Sequence, residues 1–293
     1  MSLTLGAALQ QAIQRLTRSA IAEPRAAAEV LLADLLNRPR LSLVLETHHR
    51  LDPYQAELYA ARIQRRLQGE PVQYITGVQE FWSLPFSVNP HVLIPRPETE
   101  LLVEYGVQAL QTWQQTSSLA AVSVLDVGVG SGNIAISLAH TLPAIRVCGI
   151  DLSNDALRVA QENARRLGVS EQLTWVCGDL VTGLRQDAPR FALCVSNLPY
   201  VSTTEWEQLP RHIKAYEPPM ALLGGDDGLE VIRRLVTTSP RVLAPGGTLL
   251  LEVGWQQARR VAELIRRQGA FGEVDIYPDL AGIDRVVWAR RCG

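Results

Sequence analysis

Through the first seventy positions apolar residues recur at helical spacing. Leu5, Ala8, Leu9, Ala12, Ile13 and Leu16 share one face of a helix over 4–18. A second helical pattern runs over 24–37, with Pro24 near its start, and a third over 52–68. Asp52-Pro53 is an N-cap followed by proline at the first helical position, and Gly69 closes the third helix. Residues 78–94 then predict two short strands around Ser83-Leu84-Pro85. From 121 onward the pattern alternates. Strands are predicted at 122–127, 145–150, 173–177, 191–196, 248–253 and 285–289, with helices at 133–141, 153–167, 227–239 and 256–268. The Gln/Thr/Ser stretch 111–118 reads as a loop before the first sheet strand. The alternation predicts an α/β fold, a doubly wound, mostly parallel sheet with helices on both faces. The expected domains are 1–76 (helical), 77–95 (hairpin linker) and 96–293 (α/β).

Composition narrows this picture. The chain has 293 residues, 47% apolar and 20% charged, which excludes a disordered polymer. The 28 basic and 30 acidic residues leave a net charge of −2, without the basic excess of a duplex-DNA binder. Lys214 is the only lysine, and an arginine preference spread over the whole chain marks no site. Arg62, Arg65 and Arg66 read as a solvated helix face. His48 and His49 read as surface and the tryptophans as core. Cys148, Cys177, Cys194 and Cys292 are far apart, and the first three fall in strand patterns as buried thiols of a reduced, cytoplasmic protein. No metal-ligand spacing is present, and no apolar run approaches a membrane span. Residues 1–22 hold Arg15 and Arg18 and no acid, as transit peptides do, but their spacing fits a first domain helix better.

The chemistry concentrates where strands end. The first sheet strand runs into Asp126-Val127-Gly128-Val129-Gly130-Ser131-Gly132, and a helix follows. Glycines at a strand-to-helix turn let backbone approach a ligand and aim N–H groups at it. Asn133 stands where the dinucleotide fingerprint needs a third glycine. Asp151 closes the next strand, placed to accept both hydroxyls of a ribose. Asp179, after the third strand, is placed to accept from an exocyclic adenine amine. Acids before the glycines and after two successive strands suit a nucleoside without a pyrophosphate, and so S-adenosylmethionine better than NAD. Each residue also has a plain structural role, since acids in such loops often only cap helices.

The fourth strand ends in Ser196-Asn197-Leu198-Pro199-Tyr200. The Asn197 side-chain carbonyl and the Leu198 backbone carbonyl are two neighbouring acceptors for the protons of a planar –NH2 group, and Tyr200 can lie over its plane. An amide or amino-base nitrogen fits that geometry, and so does a plain strand-ending turn.

With these residues in hand, the chain resembles the HemK/PrmC family, the protein-(glutamine-N5) methyltransferases acting on peptide-chain release factors. The family's Asn-Pro-Pro-Tyr is met at Asn197, Pro199 and Tyr200. Further family-like segments are Gly69-Glu70-Pro71-Val72-Gln73-Tyr74-Ile75-Thr76-Gly77, Ile94-Pro95-Arg96-Pro97-Glu98-Thr99-Glu100, Tyr216-Glu217-Pro218, Gly224-Gly225-Asp226-Asp227-Gly228-Leu229 and Ala281-Gly282-Ile283-Asp284-Arg285. The match is collinear over essentially the whole chain. It implies a class I S-adenosylmethionine-dependent methyltransferase, Rossmann-like, with a small N-terminal helical domain that docks the partner. It implies cofactor contacts from Asp126, Gly128, Val129, Gly130, Ser131, Gly132, Asp151, Asp179, Leu180 and Asn197. It places the reaction on Asn197, Leu198, Pro199 and Tyr200, with Arg96 and Glu98 beside the substrate; Thr99 otherwise reads as a helix N-cap with acids in the first turn. The expected substrate is the glutamine of the Gly-Gly-Gln motif of class I release factors. The expected protein is a monomer that binds neither membrane nor nucleic acid directly. A ribosomal-protein glutamine, or adenine N6 of a nucleic acid, is the alternative acceptor.

Leu198 departs from the family's proline. The carbonyl survives, so the acceptor chemistry does too. Losing a compatible proline costs ~0.4–1 kcal/mol, and an unpaired buried N–H about 1–3 kcal/mol more.

Overall fold

The computed structural model describes residues 3–116, 122–184 and 190–293. In chain order its helices are α1 (Leu5–Arg18), α2 (Pro24–Leu36), α3 (Arg40–Leu45), α4 (Pro53–Leu67), α5 (Val72–Thr76), α6 (Glu100–Thr116), α7 (Asn133–Thr141), α8 (Asn154–Arg166), α9 (Thr203–Gln208), α10 (Arg211–Tyr216), α11 (Glu230–Thr238) and α12 (Ala258–Gln268). Its strands are β1 (Val78–Phe81), β2 (Leu84–Ser87), β3 (Val122–Val127), β4 (Ile145–Asp151), β5 (Leu173–Cys177), β6 (Phe191–Ser196), β7 (Leu243–Glu252), β8 (Phe271–Pro278) and β9 (Asp284–Arg291). The chain divides into two compact units. One holds residues up to Val78 together with Pro210–Tyr216, and the other Gln79–Leu209 and Glu217–Gly293. Among the described residues no helix is long and apolar enough to cross a membrane.

The helical unit closes over Leu5, Leu16, Leu31, Leu32, Leu43 and Ile63. Asp52 caps α4 in a full capping box with Gln55. The sequence gives no hint that α10 joins this unit, where the Tyr216 hydroxyl donates to Gln68 O at 3.3 Å. The arginine run is a solvated face only in part, with Arg65 exposed and Arg62 and Arg66 half-buried. Arg62 binds Asp34 at 2.6 Å, Arg65 grips Glu70 through two nitrogens, and Arg66 donates to the carbonyls of Gly69 and Glu70. Half-burial pulls the Arg66 guanidinium down from its usual range.

The second unit is built on a seven-stranded sheet of order β5-β4-β3-β6-β7-β9-β8. The pairs from β5 to β7 are parallel; β9 runs antiparallel to β7 and to β8. All six residues of β6 are buried, as helices on both faces of a parallel sheet require. The strand order reverses between β3 and β6, the switch point at which such sheets bind ligands.

Five sequence expectations change here. α6 runs through Thr116, so most of 111–118 is helix; 117 and 118 lie outside the described residues. β8 is an additional edge strand, and its alternation of Val274 and Ile276 with Glu273 and Asp275 is the period-2 signal of a half-buried strand. The hairpin ends at Ser87 and turns on Trp82-Ser83, both at positive φ (53° and 58°) as a two-residue type I′ turn needs. The buried-thiol and core-tryptophan expectations fail in part. Cys177 is exposed because β5 is an edge strand, whereas Cys194 is buried. Trp255 is exposed and the other five tryptophans are half-buried, since a side chain so large seldom fits wholly inside.

Candidate active site

The register Leu125↔Cys194 and Asp126↔Val195 brings the C-terminal ends of β3 and β6 side by side, and the Ser196 hydroxyl donates to Val127 O. The glycine loop therefore opens beside the acceptor loop. Gly130, at φ +55°, has nothing within 4 Å of where a Cβ would stand, so it opens onto free space. Gly132 is closed in instead: at φ +83°, an added Cβ would meet Ile136 at 2.8 Å and Ala160 at 3.1 Å. The loop is also tied from behind by Asn163 of α8. Its amide donates to Ser131 O at 2.9 Å and Ser87 O at 3.0 Å and accepts from Ser87 N at 2.7 Å.

Asp126 sits behind the loop and does not line the cavity. One carboxylate oxygen accepts from Ala135 N in the first turn of α7 at 3.0 Å; the other is buried with no partner among the described residues. Burial, reinforced by Asp151, pushes its carboxyl up to about 7 against that one hydrogen bond. Asp151 faces the cavity. Its oxygens accept from Gly130 N and Ser153 N, both at 2.8 Å, and burial outweighs these bonds to raise its pKa. A carboxylate offers about four lone-pair sites, so two remain for a pair of hydroxyls.

The cavity between these loops measures about 380 Å³, within the range of small-molecule sites. Asp151, Leu152 and Leu180 line one side; Asn197, Leu198 and Pro199 line another. Asp179 is at the rim, where one oxygen is held by Arg234 of α11 at 2.5 Å. Leu180 lines the cavity at φ +52°, a left-handed conformation uncommon for a leucine and a mark of strain held in place at a site.

Asn197 sets the acceptor geometry. Its Nδ2 donates to Thr99 Oγ1 at 3.1 Å, which leaves the carbonyl oxygen Oδ1 for the cavity that Asn197 lines. Thr99 is thus a partner of the acceptor loop and not a helix cap, and a short 3-10 turn (Pro97–Thr99) precedes α6. Beneath the loop, the Tyr200 hydroxyl donates to Glu252 Oε1 at 3.4 Å, and the buried Oε2 of Glu252 has no partner among the described residues. Burial and Glu252 raise the Tyr200 phenol well above its usual range, so it stays a donor. Gln257 Nε2 holds Tyr200 O at 2.8 Å. The glycine-rich 224–228 loop braces the same stretch, with Gly224 N donating to Val201 O at 2.8 Å and Thr203 N to Gly225 O at 3.2 Å.

Arg96 lines the cavity and is anchored to the buried Glu217 at 2.5 Å. Glu98 is exposed and, like Gly132 and Tyr200, does not line the cavity. Gly128, Val129, Gly130, Ser131, Asp151, Asp179, Leu180, Asn197, Leu198, Pro199 and Arg96 all do. Leu198 is buried in the core, with Cδ2 3.3 Å from where a Gly128 Cβ would lie. Sequence reasoning misses Glu252, Gln257 and Arg234, which act from distant helices and strands. Only the fold brings them here.

Comparison with known proteins agrees with this geometry. Residues 7–77 match the family described as PrmC N-terminal domain, and residues 124–216 match the family described as Methyltransferase domain. A Release factor glutamine methyltransferase of Moorella thermoacetica is 43% identical over 294 residues, 99% of each chain. The protein of that name from Nitratidesulfovibrio vulgaris is 37% identical over 289 residues, 98% of this chain and 95% of its own. The chain belongs to the release factor glutamine methyltransferase family. Among solved structures it resembles the hMettl16 catalytic domain in complex with MAT2A 3′UTR hairpin 6, with TM-score 0.56 and 14% identity over 81% of this chain and 82% of that one. A methyltransferase from Pyrococcus furiosus gives TM-score 0.50 at 14% identity, covering 80% of this chain and 100% of that one. Those two share the fold, a methyltransferase α/β domain, and the family resemblance read from the motifs holds over the full length.

Proposed function

We propose that the chain transfers a methyl group from S-adenosylmethionine to the side-chain amide nitrogen (N5) of the Gly-Gly-Gln glutamine of class I peptide-chain release factors. The observation that carries this is the Asn197 amide, locked by Thr99 with its carbonyl oxygen toward the cavity shared with Asp151 and the glycine loop. The residues fit the cofactor. Gly130 opens onto free space, Asp151 would offer its remaining lone pairs to the ribose hydroxyls, and the Asp179-Leu180 turn would edge the adenine. Gly128, Val129 and Ser131 would cradle the remainder, and when bound the cofactor supplies the electrophilic methyl.

An amide nitrogen is a poor nucleophile because its lone pair is shared with the carbonyl. Asn197 Oδ1 and the Leu198 carbonyl would each accept one of its protons, returning density to nitrogen and fixing its approach. Arg96 and Glu98 would flank the substrate. Positioning two bound reactants supplies ~7–11 kcal/mol of barrier lowering, enough to be the main device. Residues 1–76 would dock the release factor, 77–95 link the domains, and 96–293 carry the chemistry. We further infer a cytoplasmic monomer whose partner is protein and not nucleic acid.

Asn197→Ala tests the reading. Methyl transfer to purified release factor at saturating S-adenosylmethionine should fall about 10²-fold. A variant that still methylates the factor at the wild-type rate would refute the acceptor assignment.

A further inference from the structure

The carboxylate at the cavity rim is not alone there. Asp179 follows β5 and Arg234 sits on α11, and both side chains line the cavity. Arg234 donates to Asp179 Oδ2 at 2.5 Å. We propose that Arg234 is a specificity-determining residue for the base of the cofactor. Paired with Asp179, it presents a hydrogen-bond donor beside an acceptor, the pattern complementary to the N6 and N1 edge of adenine. The proposal deepens the reading that this cavity takes S-adenosylmethionine, and rests on it.

The fold puts the pair where a base would follow a sugar. Asp151, the residue for the ribose hydroxyls, ends β4, and β5 runs parallel beside it with Cys177 opposite Asp151. Gly178 N donates to Asp151 O at 3.0 Å, so the turn that carries Asp179 is tied to the strand end that carries Asp151. The turn is held on its other side too. Asp179 O accepts from Thr182 N at 3.2 Å and from Thr182 Oγ1 at 2.6 Å. On α11, Val231 and Arg234 are three residues apart and share the face that lines the cavity. The neighbouring Arg233 goes instead to Asp227 at 2.9 Å and does not line it. Arg96, the other arginine among the described lining residues, is committed to Glu217.

Almost half of each side chain in the pair is open to solvent, 46% and 45%, and an ion pair so exposed adds little to stability. Its use lies in what it offers the cavity. A carboxylate only accepts, at two oxygens, and a guanidinium only donates, through five N–H groups. Arg234 takes Oδ2, which leaves Oδ1 to accept and the remaining guanidinium N–H groups to donate. Adenine carries an amine donor at N6 beside an acceptor at N1, so donor meets acceptor twice. Hypoxanthine reverses both positions, with a carbonyl oxygen in place of the amine and a proton on N1. It sets acceptor against acceptor at Asp179 and donor against donor at Arg234.

The test is equilibrium binding by calorimetry to the full chain. The probes are S-adenosylhomocysteine and its hypoxanthine counterpart, S-inosylhomocysteine, neither of which has a methyl group to transfer. Wild type should prefer the adenine ligand by at least about tenfold. Arg234→Met should bind S-adenosylhomocysteine about tenfold more weakly and the hypoxanthine ligand no more weakly than wild type, so that the preference collapses. Arg234→Lys keeps the charge and loses the planar fork, and it should lose most of the preference as well. An Arg234→Met chain with the wild-type ratio of affinities would overturn the proposal, because a side chain that only holds α11 to the turn would weaken both ligands alike. A wild type that binds the two ligands equally would overturn it too. A wild type that binds neither would remove the cofactor reading itself, and the proposal with it. If Arg234→Met does not fold, the ratio for Arg234→Lys decides the point.

Discussion

Asp126 holds a carboxyl where no water reaches it, with one hydrogen bond instead of several. Its pKa of about 7 lies above the ~3.9 of an unfolded aspartate. Between those values the folded chain keeps the proton and the unfolded chain does not. Stability therefore falls as pH rises from about 4 to about 7, and then levels off. Asp126→Asn keeps an acceptor for Ala135 N and removes the charge. Its stability relative to wild type, read from denaturant melts, should improve over that window by on the order of 2–4 kcal/mol. A difference that is flat with pH would show that Asp126 does not carry this titration. Leu198 is the other informative residue. Its side chain fills core space against Gly128, so Leu198→Ala should cost about 2–5 kcal/mol in stability. Leu198→Pro should change turnover by less than about tenfold, because the acceptor carbonyl remains and only rigidity changes. A larger change in kcat would mean that the backbone at this position limits the reaction.

At the scale of elements, the site is held by clamps that cross between distant segments. Asn163 of α8 alone joins β2 to the glycine loop through three hydrogen bonds. Asn163→Ala should destabilise the α/β unit by about 1–3 kcal/mol and weaken cofactor binding measured by calorimetry. Unchanged affinity would show that the loop holds its shape without the clamp. Six of the seven strands of the main sheet and the glycine loop are legible because periodicity and turn chemistry are local signals. Asn197 and Asp151 are legible because they sit at strand ends, where α/β sheets place ligands, whereas Leu180 comes only from the family resemblance. Thr99, Glu252 and Gln257 are not legible, since nothing near them in sequence tells which side chain a polar residue will meet. The stretch 111–118 reads as loop because its glutamines and threonine are polar, whereas Leu110 and Trp113 pack α6 onto the sheet. Asp126 was read as a ligand contact, but β3 buries it behind the loop it supports.

At the scale of the whole chain, the helical unit gives the proposed docking role something to work with. Helix α3 exposes Leu41, Val44 and Leu45 at 70%, 64% and 75%. Apolar side chains grouped in this way mark interaction surfaces. Replacing all three with aspartate should raise KM for intact release factor at least about tenfold, leaving kcat and cofactor affinity in place. Steady-state kinetics would check this, and an unchanged KM would move docking elsewhere.

The most direct measurement is a radiolabelled methyl transfer assay on four acceptors in parallel: purified release factor, the same factor with its Gly-Gly-Gln glutamine changed to alanine, ribosomal protein, and DNA. Label on the intact factor and none on the other three is the result expected from the Asn197 geometry. Label that persists on the alanine variant, or that appears only on ribosomal protein or DNA, would contradict it.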